Sequence, residues 1–164
     1  MPSSFDQLDF QIIRELQQDA RKSASEIGRL TGANERTVRK RIDRLVRLGA
    51  IRLTAVVDPH VFGYVTAVDI FLEVDPAVEE DVINRLTGMV EISYIAFGQG
   101  TRDLSIEARF KDNDEMREFL RRVLPEIPGV KVSGYTLVPR IFRNIDEWLP
   151  RREDFSDDIS SSLD

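Results

Sequence analysis

From Ser23 to Ile51 the chain reads SASEIGRLTGANERTVRKRIDRLVRLGAI, two short amphipathic helical patterns separated by a glycine turn. Ser23 and Glu26 have the spacing of a capping box, in which each side chain satisfies an amide left unpaired at a helix start. Ala24, Ile27 and Leu30 follow at helical spacing, Gly32 stops this helix, and Asn34 caps the next. From Asn34 to Leu48, Val38, Ile42 and Leu45 recur at i, i+4 and i+7 and form one buried stripe. Arg36, Lys40 and Arg47 project roughly opposite it, with Arg39, Arg41 and Arg44 on the flanks. Upstream, Leu8, Ile12, Ile13 and Leu16 predict another amphipathic helix, the third wall of a small core. Gly49 closes the unit, and Ile51 to Val57 is expected as a strand leading out of it. Together these signals predict a helix-turn-helix that contacts DNA. The competing reading is a helical hairpin whose charged face is merely solvated.

The charge distribution separates the two readings. Residues 1–60 hold eleven Lys and Arg against eight Asp and Glu, a net of +3, whereas residues 61–164 hold twelve against twenty-one, a net of −9. Between Arg36 and Arg52 there are seven basic residues and one acid, Asp43. A chain of net charge −6 does not attract a polyanion through its bulk, so contact with DNA is confined to this positive island.

Length and composition set the outer limits. A chain of 164 residues makes one domain or two small ones. The absence of cysteine excludes disulfides, thiolate metal sites and cysteine nucleophiles. The opening MPSSFDQLDF lacks a basic segment followed by an apolar run, and no window approaches the roughly twenty apolar residues needed to span a bilayer. The expectation is a cytoplasmic protein with no membrane partner.

Beyond residue 64 the hydrophobic period changes. Val65 to Val74 reads as a strand ended by Asp75-Pro76, and Ala77 to Thr87 as a helix with Val78, Val82, Ile83 and Leu86 on one side, closed by Gly88. Ile92 to Phe97 is a second strand, Gly98 to Arg102 a turn, and Asp103 to Phe110 an alternating strand with Leu104, Ile106, Ala108 and Phe110 on one face. Asp112 or Asn113 caps a helix burying Met116, Phe119, Leu120 and Val123 and ended by Pro125, and Val130 to Val138 is the last strand. Strand, helix, strand, strand, helix, strand is the ferredoxin-like order: one antiparallel sheet with both helices on one face. The other face is unfinished. Val65, Ala67, Asp69 and Phe71 alternate with Thr66, Val68, Ile70 and Leu72, so both faces of the first strand carry apolar groups, which predicts a homodimer packed through the exposed sheet faces.

Other patterns exclude more than they suggest. Gly98-Gln99-Gly100 superficially opens a dinucleotide fingerprint, but Asp103 occupies the third glycine position and a strand follows where a helix is required. Asp112 to Glu115 resembles the start of a calcium loop, yet Met116 and Arg117 stand where an oxygen ligand and the turn glycine belong. His60, the only histidine, lies in the Asp58-Pro59-His60 turn. No metal site, catalytic residue or cofactor is expected, and after Pro150 the tail RREDFSDDISSSLD is too poor in apolar residues to order itself.

The ordered set LDFQIIRELQQDARKSASEIGRLTGANERTVRKRIDRLVRLGAI, a wing-like strand, a ferredoxin-like domain with a glycine-aspartate turn, and the late IPGVKVSGYTLV resembles the leucine-responsive (Lrp/AsnC, feast-famine) transcription regulators over roughly residues 6 to 145. The resemblance implies that Asn34 to Leu48 is a recognition helix in the major groove of double-stranded DNA. Arg36 and Arg39 then suit guanine O6 and N7, and Glu35 suits cytosine. Thr37, Lys40, Arg41, Arg44, Arg47 and Arg52 suit phosphates. It further implies an amino-acid effector and a dimer or larger assembly, a tetramer or octamer included. The family's effector turn aligns with Gly100-Thr101-Arg102-Asp103, preceded by Gly98. Its amides suit a carboxylate and Asp103 an ammonium group. Arg102 replaces the usual aromatic residue; it either clamps an anionic ligand or signals that the pocket is absent, and the segment also reads as a plain hairpin turn.

The sequence thus predicts an α+β chain: an N-terminal winged helix-turn-helix domain of three helices over 1–52, a linker strand and turn over 53–64, a ferredoxin-like βαββαβ domain for effector and oligomerisation over 65–140, and a C-terminal extension over 141–164, disordered after 150. The function expected is sequence-specific transcriptional regulation modulated by a small effector. The alternatives are an effector-independent architectural DNA-binding protein and an enzyme on the ferredoxin-like domain.

Overall fold

The computed structural model describes residues 5–98 and 104–157. The chain divides into two units, one made of residues up to Val56 together with the chain from Arg143, the other of Val57–Phe142. In the first, α1 (Gln7–Gln18), α2 (Ala24–Thr31) and α3 (Glu35–Arg47) enclose a core of Leu8, Ile12, Leu16, Ile27, Val38 and Leu45. Each helix starts where the sequence supplies a cap. Asp6 Oδ1 accepts from the amides of Leu8 and Asp9 at 3.1 Å each, Ser23 and Glu26 form the expected capping box, and Asn34 Oδ1 accepts from Thr37 N at 2.8 Å. Gly32 ends α2 in the left-handed conformation.

Gly28 sets how closely the two helices of the motif approach. A Cβ on this residue would stand 2.6 Å from the carbonyl oxygen of Ala33, in the connection to α3. Main chain fills the space that any other side chain needs.

In the second unit β1 (Thr66–Val74), α4 (Glu79–Thr87), β2 (Ile92–Phe97), β3 (Leu104–Phe110), α5 (Asn113–Glu118) and β4 (Val130–Leu137) follow in the predicted order. The sheet is antiparallel with strand order β2-β3-β1-β4, the ferredoxin-like arrangement. Val68, Ile70, Leu72 and Val74 of β1 and Leu104, Ile106, Ala108 and Phe110 of β3 face Val82, Leu86, Met116 and Phe119 in a single core. Burying each such aliphatic side chain contributes roughly 1.5–3 kcal/mol. On the opposite face Ala67, Asp69, Phe71 and Glu73 are only partly covered.

Two expectations fail here. Residues 51–58 form no strand, so the helix-turn-helix has no wing among the described residues. The segment is rich in β-branched residues, but a strand needs a hydrogen-bonded neighbour to exist. The C-terminal extension, expected outside both cores and disordered after 150, instead returns to the first unit. Phe155 is buried against Phe5 and Phe10, and Ser156 pairs with Asp6 as a parallel bridge. One aromatic side chain anchors a segment whose average composition gave no reason for order.

Replacing Gly28 by Ala is expected to destabilise the first unit by roughly 1–3 kcal/mol, because the intruding methyl group meets backbone rather than a movable side chain. Thermal unfolding followed by circular dichroism checks this, and an unchanged midpoint would refute the close approach.

Candidate nucleic-acid interface

α3 divides lengthwise into an inner and an outer side. Val38 and Leu45 are fully buried, and Arg41 lies with them, 8% exposed. Its guanidinium faces Asp6 Oδ2 at 2.8 Å and donates to Asp9 Oδ2 at 3.1 Å. Arg44, half-buried, donates to the same Asp9 oxygen at 3.2 Å and lies over the Phe5 ring at 5.4 Å. Asp6 and Asp9 are themselves buried on α1, so two acids and two arginines make a charge cluster inside the helical unit. Desolvating four charges is costly; once they are inside, removing one partner strands another without compensation.

Arg41, expected at a phosphate, is therefore turned away from any external ligand, and Arg44 is engaged internally. The physical reason is visible in the spacing: Arg41 stands three residues after Val38 and four before Leu45, on the inward stripe. Asp6 and Asp9 were not among the expected functional residues. Their signal is an acid, Asp9, between Leu8 and Ile12 on the apolar side of α1.

The outer side matches the expected face. Glu35, Arg36, Arg39, Lys40, Arg47 and Arg52 are exposed and Thr37 is half-buried. Glu35 and Arg39 form an ion pair at 2.7 Å across one helical turn, a surface pairing worth about 0.3–0.5 kcal/mol. Both groups thus meet any base edge already engaged with each other. Arg36, Lys40 and Arg47 make no ion pair with the described residues and form a row of free cations along the helix.

The candidate effector turn is not brought into view. Gly98 is half-buried at the end of β2, and Gly100, Thr101, Arg102 and Asp103 lie outside the described residues. Among the described residues no group of three or more His, Asp or Glu is arranged to hold a metal ion, and His60 Nδ1 sits 3.3 Å from Asp58 within its own turn. No helix among them is long and apolar enough to cross a membrane.

On the open sheet face, Asp69 stands directly opposite Glu107 across β1 and β3. Burial, and secondarily the Glu107 charge, raise the Asp69 carboxyl above its ordinary value of 3.8. Arg109 donates to Glu107 at 2.7 Å and Lys131 to Glu73 at 2.7 Å.

A three-helix unit presenting a basic outer helix, joined to a ferredoxin-like unit, is the anatomy of a two-unit DNA-binding regulator. Residues 5–46 match the AsnC-type helix-turn-helix domain. The HTH-type transcriptional regulator FL11 of Pyrococcus abyssi is 32% identical over 148 residues, 90% of this chain and 97% of that protein. Among solved structures, AsnC of Escherichia coli superimposes with a TM-score of 0.78 at 21% identity, covering 86% of this chain and 97% of that one. A Neisseria meningitidis transcriptional regulator in complex with L-Met superimposes with a TM-score of 0.80 at 18% identity, covering 86% and 94%. The chain belongs to the Lrp/AsnC family of helix-turn-helix transcriptional regulators. Its relatives are regulators, not enzymes.

Arg41→Ala is expected to cost about 3–5 kcal/mol of stability by stranding Asp6 Oδ2 and leaving Asp9 with Arg44 alone, whereas Arg36→Ala and Lys40→Ala stay within about 0.5 kcal/mol. Urea unfolding of the three variants separates the inner arginine from the outer cations. Equal losses for all three would show that no such division exists.

Proposed function

We propose that this regulator reads a specific DNA sequence by laying α3 in the major groove, and that a small effector modulates its affinity or assembly. The observation that carries the first part is the lengthwise division of α3. Its inner arginines are held by Asp6 and Asp9, while Arg36, Lys40 and Arg47 face outward without an ionic partner among the described residues. Arg36, in the first turn of α3, is placed for a bidentate guanine contact. Arg39 adds a second such contact when it exchanges Glu35 for a base, and Glu35 is then free to accept from cytosine. Lys40, Arg47, Arg52 and Thr37 contact phosphates, which supply affinity and register without sequence information. Arg41 and Arg44 orient the helix from behind.

One helix reads only a few base pairs, so the unit works as a pair on a roughly palindromic site. We assign the pairing to the open sheet face, where Ala67, Phe71 and the flanking charges are only partly covered. Support for an effector comes from the Neisseria regulator of the same fold, known as a complex with L-Met, and from the glycine-rich sequence Gly98-Gln99-Gly100 that follows β2 in the chain. An amino acid is the ligand class that the sequence Gly100-Thr101-Arg102-Asp103 favours, since its carboxylate takes backbone amides and its ammonium group takes an acid such as Asp103.

Lys40→Ala should weaken binding similarly on all duplexes and lower the slope of log affinity against log salt by about one. Arg36→Ala should also narrow the gap between preferred and scrambled sequences. Gel-shift titrations at several salt concentrations read both effects, and unaltered binding by both variants would remove this face from the reading.

The same assignment has a pH signature. A carboxyl whose folded value is raised binds its proton more tightly when folded, so the associated stability is lost as pH rises from about 3.8 through that raised value. Asp69→Asn removes the charge and should tighten sheet-to-sheet association at neutral pH. Sedimentation equilibrium compares the two proteins; looser association of the variant would contradict this placement of the interface.

A further inference from the structure

The C-terminal strap, residues 143–157, lies against α1 and grips it at both ends. Gln17 Nε2 donates to the carbonyl oxygens of Asp146 and Trp148 at 3.1 Å each. Gln7 Nε2 donates to Phe155 O at 3.1 Å and Arg152 O at 3.3 Å, and Gln7 Oε1 accepts from Arg152 Nε at 3.0 Å. Ten residues separate the two glutamines, about 15 Å along a helix, so the strap runs antiparallel to the length of α1.

Its far end meets the turn that holds the recognition helix. Ser156 N donates to Phe5 O at 2.9 Å and Gln7 N donates to Ser156 O at 3.2 Å, which fixes the main chain on both sides of Asp6. Phe155 packs edge-on against Phe10 at 5.1 Å and touches Phe5 at 6.4 Å. Phe5 in turn lies under the Arg44 guanidinium, while Asp6 and Asp9 hold Arg41 and Arg44. The strap therefore grips by its backbone the same residues whose side chains grip α3 from behind.

We propose that this strap is a working part of the DNA-reading unit: Phe155 and Ser156 position the Phe5–Asp9 turn and, through Asp6, Asp9, Arg41 and Arg44, set the outward face of α3. The proposal rests on the reading that α3 contacts DNA. Without the strap, Phe5 and Gln7 lose the main-chain bonds that flank Asp6, and only the cap on α1 still holds the Asp6 carboxylate opposite Arg41. The buried guanidinium then recovers hydration only if α3 shifts relative to α1. Such a shift leaves the net charge of the outer face intact, so phosphate attraction survives while the alignment needed for base contacts does not. Phe155 and Gln7 are positioning residues that touch no DNA themselves.

The test uses the full-length chain, a duplex enriched from random DNA by the wild-type protein, and a scrambled duplex of equal length. Phe155→Ala is expected to lower affinity for the enriched duplex about tenfold while changing the scrambled duplex far less, at a temperature where circular dichroism shows the unit folded. Phe155→Leu, which keeps an apolar anchor, should recover most of the loss. Ile27→Val, which weakens the same core away from the strap, should lower the unfolding midpoint without altering the affinity ratio. Gln7→Ala loosens the strap without opening the core and serves where Phe155→Ala does not fold. An unchanged affinity ratio in the folded strap variants overturns the proposal, as does a parallel loss on both duplexes that tracks the unfolding midpoint. Arg36→Ala and Lys40→Ala in the same assay keep the two ideas apart. Their failure to alter binding defeats the reading of α3, whereas altered binding there with normal strap variants defeats the strap alone.

Discussion

The buried meeting of Asp6 and Asp9 with Arg41 and Arg44 is the constraint on which the DNA-reading unit depends. Apolar side chains at Val38 and Leu45 drive α3 onto α1, but hydrophobic burial is non-directional and tolerates sliding or rotation. Charged groups enclosed at 2.8–3.2 Å do not tolerate either, because any other arrangement leaves a guanidinium or carboxylate buried without its counterpart. Asp6 adds a second duty, since its other oxygen caps α1. Fixing the start of one helix and the rotation of another with the same residue makes the outer row of α3 a consequence of the inner cluster.

The elements themselves were legible because their periods are clean. The caps of α2 and α3, Ser23 and Asn34, stand in the sequence where those helices begin, and the alternation of Leu104, Ile106, Ala108 and Phe110 describes a strand with one buried face, while the Asp6 cap of α1 emerged only from the structure. What escaped depended on partners distant in the chain. The β-branched run after Ile51 looked like a strand, yet no local feature reveals that a pairing neighbour is absent. Arg41 looked like a surface cation because charge outweighed position; its place between Val38 and Leu45 pointed inward, but only Asp6 and Asp9, more than thirty residues away, make that position tolerable for a charge. Phe155 is one aromatic residue among acids and serines, and its worth is set by Phe5 and Phe10 at the opposite end of the chain. The outer face of α3 needed no distant partner and was read correctly as exposed at Arg36, Lys40 and Arg47.

The second unit shows the opposite economy. Its helix-covered face is uniformly apolar, whereas its open face mixes Ala67 and Phe71 with Asp69, Glu73, Glu107, Arg109 and Lys131. A face of that kind tolerates contact with water and still has apolar area to bury. The directly opposed Asp69 and Glu107 are an unfavourable cross-strand pair, and Arg109 relieves only one of them.

The path of the chain gives the strap a temporal meaning. Residues 57–142 are inserted between the two pieces of the first unit, so that unit is discontinuous in sequence. During synthesis the three helices emerge early, but the segment that clasps Phe5 and Gln7 emerges only after the whole second unit has been made. Loop closure over so long a separation is slow compared with the formation of local helices. A nascent chain therefore carries its basic helix before it carries the clasp, and completion of the first unit waits on synthesis of the whole second unit.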